Sequence, residues 1–191
     1  MATDIDTFRL EAFSDGVMAV IITIMVLALK TPDGTGWHEL RTVLAPLLVY
    51  ALSFMIVGTY WNNHHHLLKA TKRIGARVMW ANLLFLFCIS LIPFGASWLG
   101  SNPRNTIPTF TFGLILFACA MAYSLLQSTI VRAQRKNTKI VSALAEDYKG
   151  RLSGIGFALA VPVALIAPLV ADIMFVGIVL VWFIPDRRLV S

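Results

Sequence analysis

The chain has 191 residues, of which 58% are apolar and only 14% are charged. Soluble domains are about one quarter charged, so this composition excludes an ordinary soluble protein and predicts one embedded in a bilayer. The formal charge of +6 would suggest nucleic-acid binding in a soluble protein. Here the basic residues lie between apolar segments, where membrane topology explains them, and we expect no nucleic-acid partner.

Six apolar segments follow one another, and we interpret residues 1–191 as one all-α membrane domain of six transmembrane helices. The first segment is preceded by acidic residues and Arg9 rather than by a basic start, which predicts a retained helix and not a cleaved signal peptide. The last two segments flank Asp172 and predict a tight hairpin, with kinks at Pro93, Pro162 and Pro168. The approximate bounds are 8–29, 43–61, 78–99, 109–131, 152–169 and 173–184.

The distribution of basic residues predicts the topology. If both termini lie on one side, only Lys30, Arg41 and Arg104 of the 16 Lys and Arg residues fall on the opposite side. Because basic loops stay inside, we expect a multi-pass protein of the cell membrane with both termini in the cytoplasm. The stretch from Arg132 to Lys139 is then a topology signal that contacts anionic lipids.

The apolar segments contain no pattern of residues typical of an enzyme active site or a metal site. From Gly16 onward in the first segment, and throughout the next three, only hydroxyls and amides interrupt the apolar side chains. Pumps that relay charge use ionisable groups at this depth, so the sequence argues against them. Because His64, His65 and His66 are consecutive, their side chains diverge by about 100°, which favours a hydrogen-bonding role for His64 over a metal site. We expect no catalytic residue, no metal and no cofactor.

The first helix is predicted to have two different faces. At about 100° per residue, Glu11, Ser14 and Asp15 point away from an apolar stripe that has one hydroxyl and a basic end. Such stripes commonly contact lipid or neighbouring helices, and Arg9 can be a paired interfacial charge. This pattern alone therefore makes a pore-lining role only one of several alternatives. The stripe comprises Arg9, Phe13, Val20, Thr23, Ile24 and Leu27.

The segment RLEAFSDG carries an RxxxFSD pattern that resembles the signature of the transmembrane protein 175 family. This family contains the endolysosomal potassium channels of animals and single-repeat prokaryotic relatives, which this chain resembles. The likeness extends over nearly the whole chain, through a WxxH pattern, an asparagine in the third segment and a Pro-Phe pair at its end. The residues that carry it are Arg9, Phe13, Ser14, Asp15, Trp61, His64, Asn82, Pro93 and Phe94.

The resemblance implies a potassium-preferring cation channel, a homotetramer whose first helices line a central pore. By this likeness Val20 forms the hydrophobic constriction, with Ile24 and Leu27 on the same stripe, and Thr23 supplies a ring of hydroxyls. The family more often has Ile or Leu at the constriction. We also expect a structural polar network of Trp61, His64 and Asn82. Within it, Asp15 and Ser14 anchor the first helix to His64 and Asn82. Permeant potassium ions and membrane lipids are the other expected partners.

Two other functions remain open at this point. A secondary transporter of ions or small molecules would show inverted repeats and polar groups at mid-depth. An accessory membrane protein without a pore would tolerate polar substitution of Val20 and Leu27 without any ionic consequence.

Overall fold

The computed structural model describes residues 7–69, 71, 74–134 and 148–183, and nearly all of these residues are helical. Seven of the basic residues that predict the topology, Lys72, Arg73, Arg135, Lys136, Lys139, Arg187 and Arg188, lie outside the described residues, as does position 184. In chain order the helices are α1 (Thr7–Leu27), α2 (Trp37–Thr42), α3 (Leu44–Lys69), α4 (Ala76–Ser90), α5 (Ile92–Ser101), α6 (Thr106–Ala133), α7 (Tyr148–Ile166) and α8 (Pro168–Phe183).

The described helices are those of a multi-pass membrane protein. Five of them are long and apolar enough to cross a bilayer, when α4 and α5 are taken together as Ala76–Ser101. The last apolar helix is shorter and runs over Pro168–Trp182 within α8. The expectation of an all-α membrane protein is therefore confirmed, and α2 is a short helix in a loop where no span was predicted.

Helix α6 lies at the centre of the packing. It contacts α4, α5, α7 and α8, whereas α1 packs on α3, α4 and α5. The largest fully buried side chains include Phe85, Phe112 and Phe175. A Cβ atom at Gly113 would lie 2.8 Å from Cζ of Phe175, so a larger residue there would require the buried Phe175 ring to shift.

Helix α3 continues well past the predicted end of the second span at Trp61. It includes the polar run Asn62 to His66 and ends at Lys69. The predicted end was placed where the apolar run stops. Polar residues that extend into water do not by themselves terminate a helix. The structure thus places His64 and His65 on a regular helix, with side chains directed by its 3.6-residue period.

The break between the last two helices lies at Ala167 and not near Asp172 as predicted. Pro168 starts α8 and does not belong to the first arm of the hairpin. A proline is well suited to the first helical turn because it has no N–H to leave unsatisfied, and it disfavours helical geometry at the preceding residue. Pro93 similarly follows the break at Leu91, whereas Pro162 lies inside α7.

Candidate ion pathway on the first helix

One face of α1 is exposed along its whole length in the single subunit. Leu27 is 81% exposed, Val20 54% and Ile24 49%, and Thr23 is exposed between them. Phe13 and Arg9 continue this face toward the start of the helix. From position 9 to position 27 the stripe rises about 27 Å, close to the thickness of a hydrocarbon core of about 30 Å.

The hydroxyl of Thr23 is already oriented by its own helix. Its Oγ1 donates a hydrogen bond of 2.8 Å to the carbonyl oxygen of Val20. Because the hydroxyl proton is used in this bond, the oxygen lone pairs remain free. On the exposed side they can accept a hydrogen bond or coordinate a cation.

The opposite face of α1 is buried against the rest of the subunit. Its members recur at helical spacing, with four apolar side chains and one hydroxyl in a single row. The buried residues are Leu10, Ser14, Met18, Ile21 and Met25. The helix is thus fixed by one side only, as periodicity at 3.6 residues allows.

A buried chain of hydrogen bonds ties Ser14 to α4 and α3. Nδ2 of Asn82 donates to Oγ of Ser14 at 3.0 Å, and Oγ of Ser14 donates in turn to the carbonyl of Leu10 at 2.8 Å. Nε2 of His64 lies 2.7 Å from Oδ1 of Asn82 and donates to it, since that amide oxygen only accepts. Ser14, His64 and Asn82 are all fully buried.

Two further contacts beside this chain of hydrogen bonds link α1 directly to α3. Nε1 of Trp61 donates to Oδ1 of Asp15 at 3.0 Å. Nδ1 of His65 lies 2.7 Å from Oε1 of Glu11, close but not aligned as a hydrogen bond, and the Trp61 ring stacks on the His65 ring at 6.0 Å.

Aromatic rings cover the other side of His64. The ring of Phe85 stacks on it at 5.8 Å and an angle of 17°. Phe85 in turn contacts Tyr60 and Tyr123, each at 5.4 Å, and these two tyrosine rings lie 5.5 Å apart. We call Tyr60, Phe85 and Tyr123 the aromatic cluster.

The structure therefore brings together some of the residues singled out from sequence and separates others. Ser14 contacts Asn82 on α4, whereas Asp15 contacts Trp61 on α3 and not His64 or Asn82. Arg9 and Phe13 of the same motif lie on the exposed stripe. The contact of Glu11 with His65 and the aromatic cluster were not predicted, because widely spaced aromatic residues in apolar segments give no signal of their pairing.

Over the described ranges, no group of three or more His, Cys, Asp or Glu side chains could hold a metal ion. Ser14, Asp15 and Thr23 of α1 each form a hydrogen bond with another side chain or with the backbone.

Known proteins resemble this chain in sequence and in fold. The family model described as endosomal/lysosomal potassium channel TMEM175 matches residues 9–93. A potassium channel of Chryseobacterium sp. (strain P1-3) is 41% identical over 181 residues, which cover 95% of this chain and 94% of the relative. A potassium channel of Streptomyces collinus is 31% identical and covers 84% of each chain.

A solved structure has the same architecture. The crystal structure of a lysosomal potassium-selective channel TMEM175 homolog from Chamaesiphon minutus superposes with a TM-score of 0.81. The match covers 92% of this chain and 95% of that one, at 22% sequence identity, and it therefore shows a shared fold.

Proposed function

The chain belongs to the TMEM175 family, and on that premise we propose that it is a potassium-preferring cation channel and not an enzyme. Four subunits assemble around an axis, with α1 of each subunit lining the pore. The observation that carries this proposal is the exposed stripe of α1, which runs the depth of a membrane while the opposite face is buried.

The composition of the stripe favours a pore over simple lipid contact. Arg9 lies at one end of this face and Thr23 near its middle, and Thr23 keeps free lone pairs after its hydrogen bond to Val20. A water-filled path would hydrate the Arg9 guanidinium and these lone pairs, as polar side chains that face a water-filled cavity are hydrated.

The pore is narrowed by apolar side chains. Four copies each of Val20, Ile24 and Leu27 around an axis form a tube that excludes water when it is narrow, and such hydrophobic constrictions gate by dewetting. The smaller volume of Val20 compared with Ile or Leu lowers this barrier. No acidic side chain occurs on α1 from Gly16 onward, so discrimination among monovalent cations is modest.

Thr23 contributes the potassium preference. Its hydroxyl proton is given to the Val20 carbonyl, and so the oxygen lone pairs of four Thr23 residues are presented to a cation on the axis. Oxygen ligands of this kind replace part of the hydration shell, as carbonyl oxygens do in other potassium filters.

The hydrogen bonds of Ser14 and Asp15 set the rotation of α1. Since Ser14 is held by Asn82, and Asp15 by Trp61, a turn of α1 about its axis would break both contacts. This structural polar network therefore keeps Val20 and Thr23 directed away from the subunit and toward the pore.

The proposed topology has six spans with both termini in the cytoplasm of a cell membrane. Helix α8 has 16 residues and would be about 24 Å long, somewhat less than the hydrocarbon core. Modest local thinning of the bilayer accommodates such a helix. In this topology Lys30, Arg41 and Arg104 lie outside, as the bias of basic residues requires.

Cysteine accessibility in assembled channels tests the proposal. Single cysteines at Val20, Thr23 and Leu27, in a background lacking the two buried native cysteines, should react with a cationic thiol reagent and lose potassium current. Matched cysteines at the buried positions Met18 and Ile21 should not react. No current and no reaction at the three stripe positions would favour an accessory protein, and reaction on all sides of α1 would favour a rocking transporter.

A further inference from the structure

A cavity of about 740 Å³ lies beside the last turn of α1, at the end of the subunit opposite the buried chain of hydrogen bonds. Its walls come from α1, from the first turns of α3 and from α5, and the segment that follows α1 forms part of its rim. Sites for small molecules commonly have volumes of about 300–1,000 Å³. The cavity therefore has the size of a ligand site, and in the proposed topology it opens to the outside.

This cavity lies behind the exposed stripe of α1 and not on it. Met25, a member of the buried row of α1, forms part of its wall, and none of the stripe residues does. The close approach of α3 to α5 fixes its base, because a Cβ atom at Gly100 would lie 2.9 Å from Cα of Pro46. A ligand here would contact the back of α1 without lying in the ion path.

The lining combines an apolar base with polar side chains around it. Met25, Ala96 and Gly100 are buried at the base. Among the polar side chains, Thr42 donates its hydroxyl proton to the carbonyl of Glu39. The others form no hydrogen bond or ion pair within the part of the chain that the structure describes, and they are Lys30, Thr31, Asp33, Tyr50, Ser97 and Ser101.

The two charged side chains indicate the ends of the ligand. Lys30 and Asp33 have opposite charges, do not pair with each other, and lie three positions apart, so their Cα atoms are at most about 11 Å apart. An extended peptide of about three residues spans the same distance of about 11 Å. Its carboxylate can pair with the Lys30 ammonium and its terminal ammonium with the Asp33 carboxylate.

The hydroxyls indicate what lies between these ends. Each hydroxyl both donates and accepts a hydrogen bond, and the N–H and C=O groups of a peptide need both kinds of partner. An uncharged sugar would use the hydroxyls but leave the two charges unpaired. We propose that the cavity binds a short peptide of about three small apolar residues with free termini.

The position of the cavity gives this peptide a regulatory role, which rests on the proposed channel function. Held by Lys30 at one end and by Ser97 along its length, the peptide links the end of α1 to α5. Leu27 lies at the same level on the exposed stripe of α1. Because the link holds this part of α1 against its own subunit, Leu27 stays away from the pore axis, and open probability rises.

Calorimetry tests binding independently of current. Trialanine with free termini is titrated into protein in nanodiscs, with empty nanodiscs as the blank. Matched titrations use trialanine that is acetylated at its amino end, amidated at its carboxyl end, or both. We expect each blocked terminus to weaken binding about fivefold, as for an exposed ion pair. No binding of free trialanine, or equal affinity for the free and doubly blocked peptides, overturns the site.

Charge variants locate the bound peptide. Lys30→Asp and Asp33→Lys should each weaken binding of trialanine about tenfold, because attraction is replaced by repulsion. The double variant should restore binding, since it exchanges the two charges and the peptide can bind in the reverse direction. Arg41→Asp makes the same change at an exposed position of α2 outside the lining, and should bind like the wild type. Single variants that bind like the wild type, or an equal loss in Arg41→Asp, overturn the site.

The two proposals fail in different ways. Trialanine added to the outer side of planar bilayers should raise open probability in the wild type and not in Lys30→Asp. Binding by calorimetry with open probability unaltered overturns the regulatory role and leaves the site intact. A protein that binds trialanine but carries no current refutes the channel and retains the peptide site.

Discussion

The two faces of α1 differ in how they are stabilised. Met18 and Ser14 on the buried face are almost or fully inaccessible and are held by packing and by hydrogen bonds to other helices. Val20 and Leu27 on the other face are mostly exposed, and the only side-chain hydroxyl there bonds to its own helix. Substitutions on the first face should therefore change stability, and substitutions on the second should change ion flow.

The largest effect is expected from one charge placed on each face. Met18→Lys buries an unpaired ammonium at a cost of several kcal/mol, so we expect no folded protein by size-exclusion chromatography. Val20→Lys should fold with a helical circular dichroism spectrum, because that position is exposed. It should carry no potassium flux in proteoliposomes, since four ammonium groups repel cations in a narrow pore. Equal loss of folded protein in both variants would contradict the difference between the faces.

A smaller loss of stability is expected from Asn82→Leu. The change removes the partner of both His64 and Ser14, and a hydrogen bond between membrane helices contributes about 0.6–2 kcal/mol. Thermal unfolding in detergent should show a lowered melting temperature. Ser90→Ala on the same helix is the control, because its hydroxyl is exposed and bonds only to the Phe87 carbonyl. If the two variants have the same melting temperature, the buried chain of hydrogen bonds does not stabilise α1.

Asp15→Ala should have a milder effect, on assembly more than on conduction. It removes one exposed hydrogen bond from Trp61, with a cost of about 1 kcal/mol. We expect a lower tetramer fraction by light scattering, and nearly unchanged conductance in the channels that do form. A stable tetramer at wild-type yield would refute the anchoring role of Asp15.

The smallest effect is expected from Thr23→Val, which removes the hydroxyl and preserves the shape. The potassium-to-sodium permeability ratio should fall about twofold, equivalent to about 0.4 kcal/mol. Ile24→Val, an apolar change at the neighbouring exposed position, should leave the ratio unchanged. A ratio that Thr23→Val does not alter would remove the hydroxyl from the selectivity mechanism.

Much of this arrangement could be predicted from the sequence because α1 is regular. A period of 3.6 residues places Val20, Thr23 and Leu27 on one face, whether that face contacts lipid, another helix or a pore. The pairing of Ser14 with Asn82 spans 68 positions, and no local pattern encodes it, so its expectation came from resemblance to a family. The identity of the pore face likewise came from the resemblance.

Helix ends were less predictable, for a physical reason. Hydropathy reports where a segment can contact hydrocarbon, whereas a helix ends where backbone geometry changes. Helix α3 therefore runs to Lys69, beyond its apolar part, and Pro168 begins α8 although apolar residues surround it. The aromatic cluster depends on how α3, α4 and α6 pack, which composition does not specify.

The central claim is that the exposed stripe of α1 forms a potassium-preferring pore, and a reversal potential tests it most directly. Purified protein in planar bilayers is placed under opposed potassium and sodium gradients, with Val20→Ala beside the wild type. We predict reversal displaced toward the potassium potential, and a current about tenfold larger in the variant, equivalent to about 1.4 kcal/mol removed from the constriction. No current above that of empty bilayers, or identical currents in the two proteins, would contradict the claim.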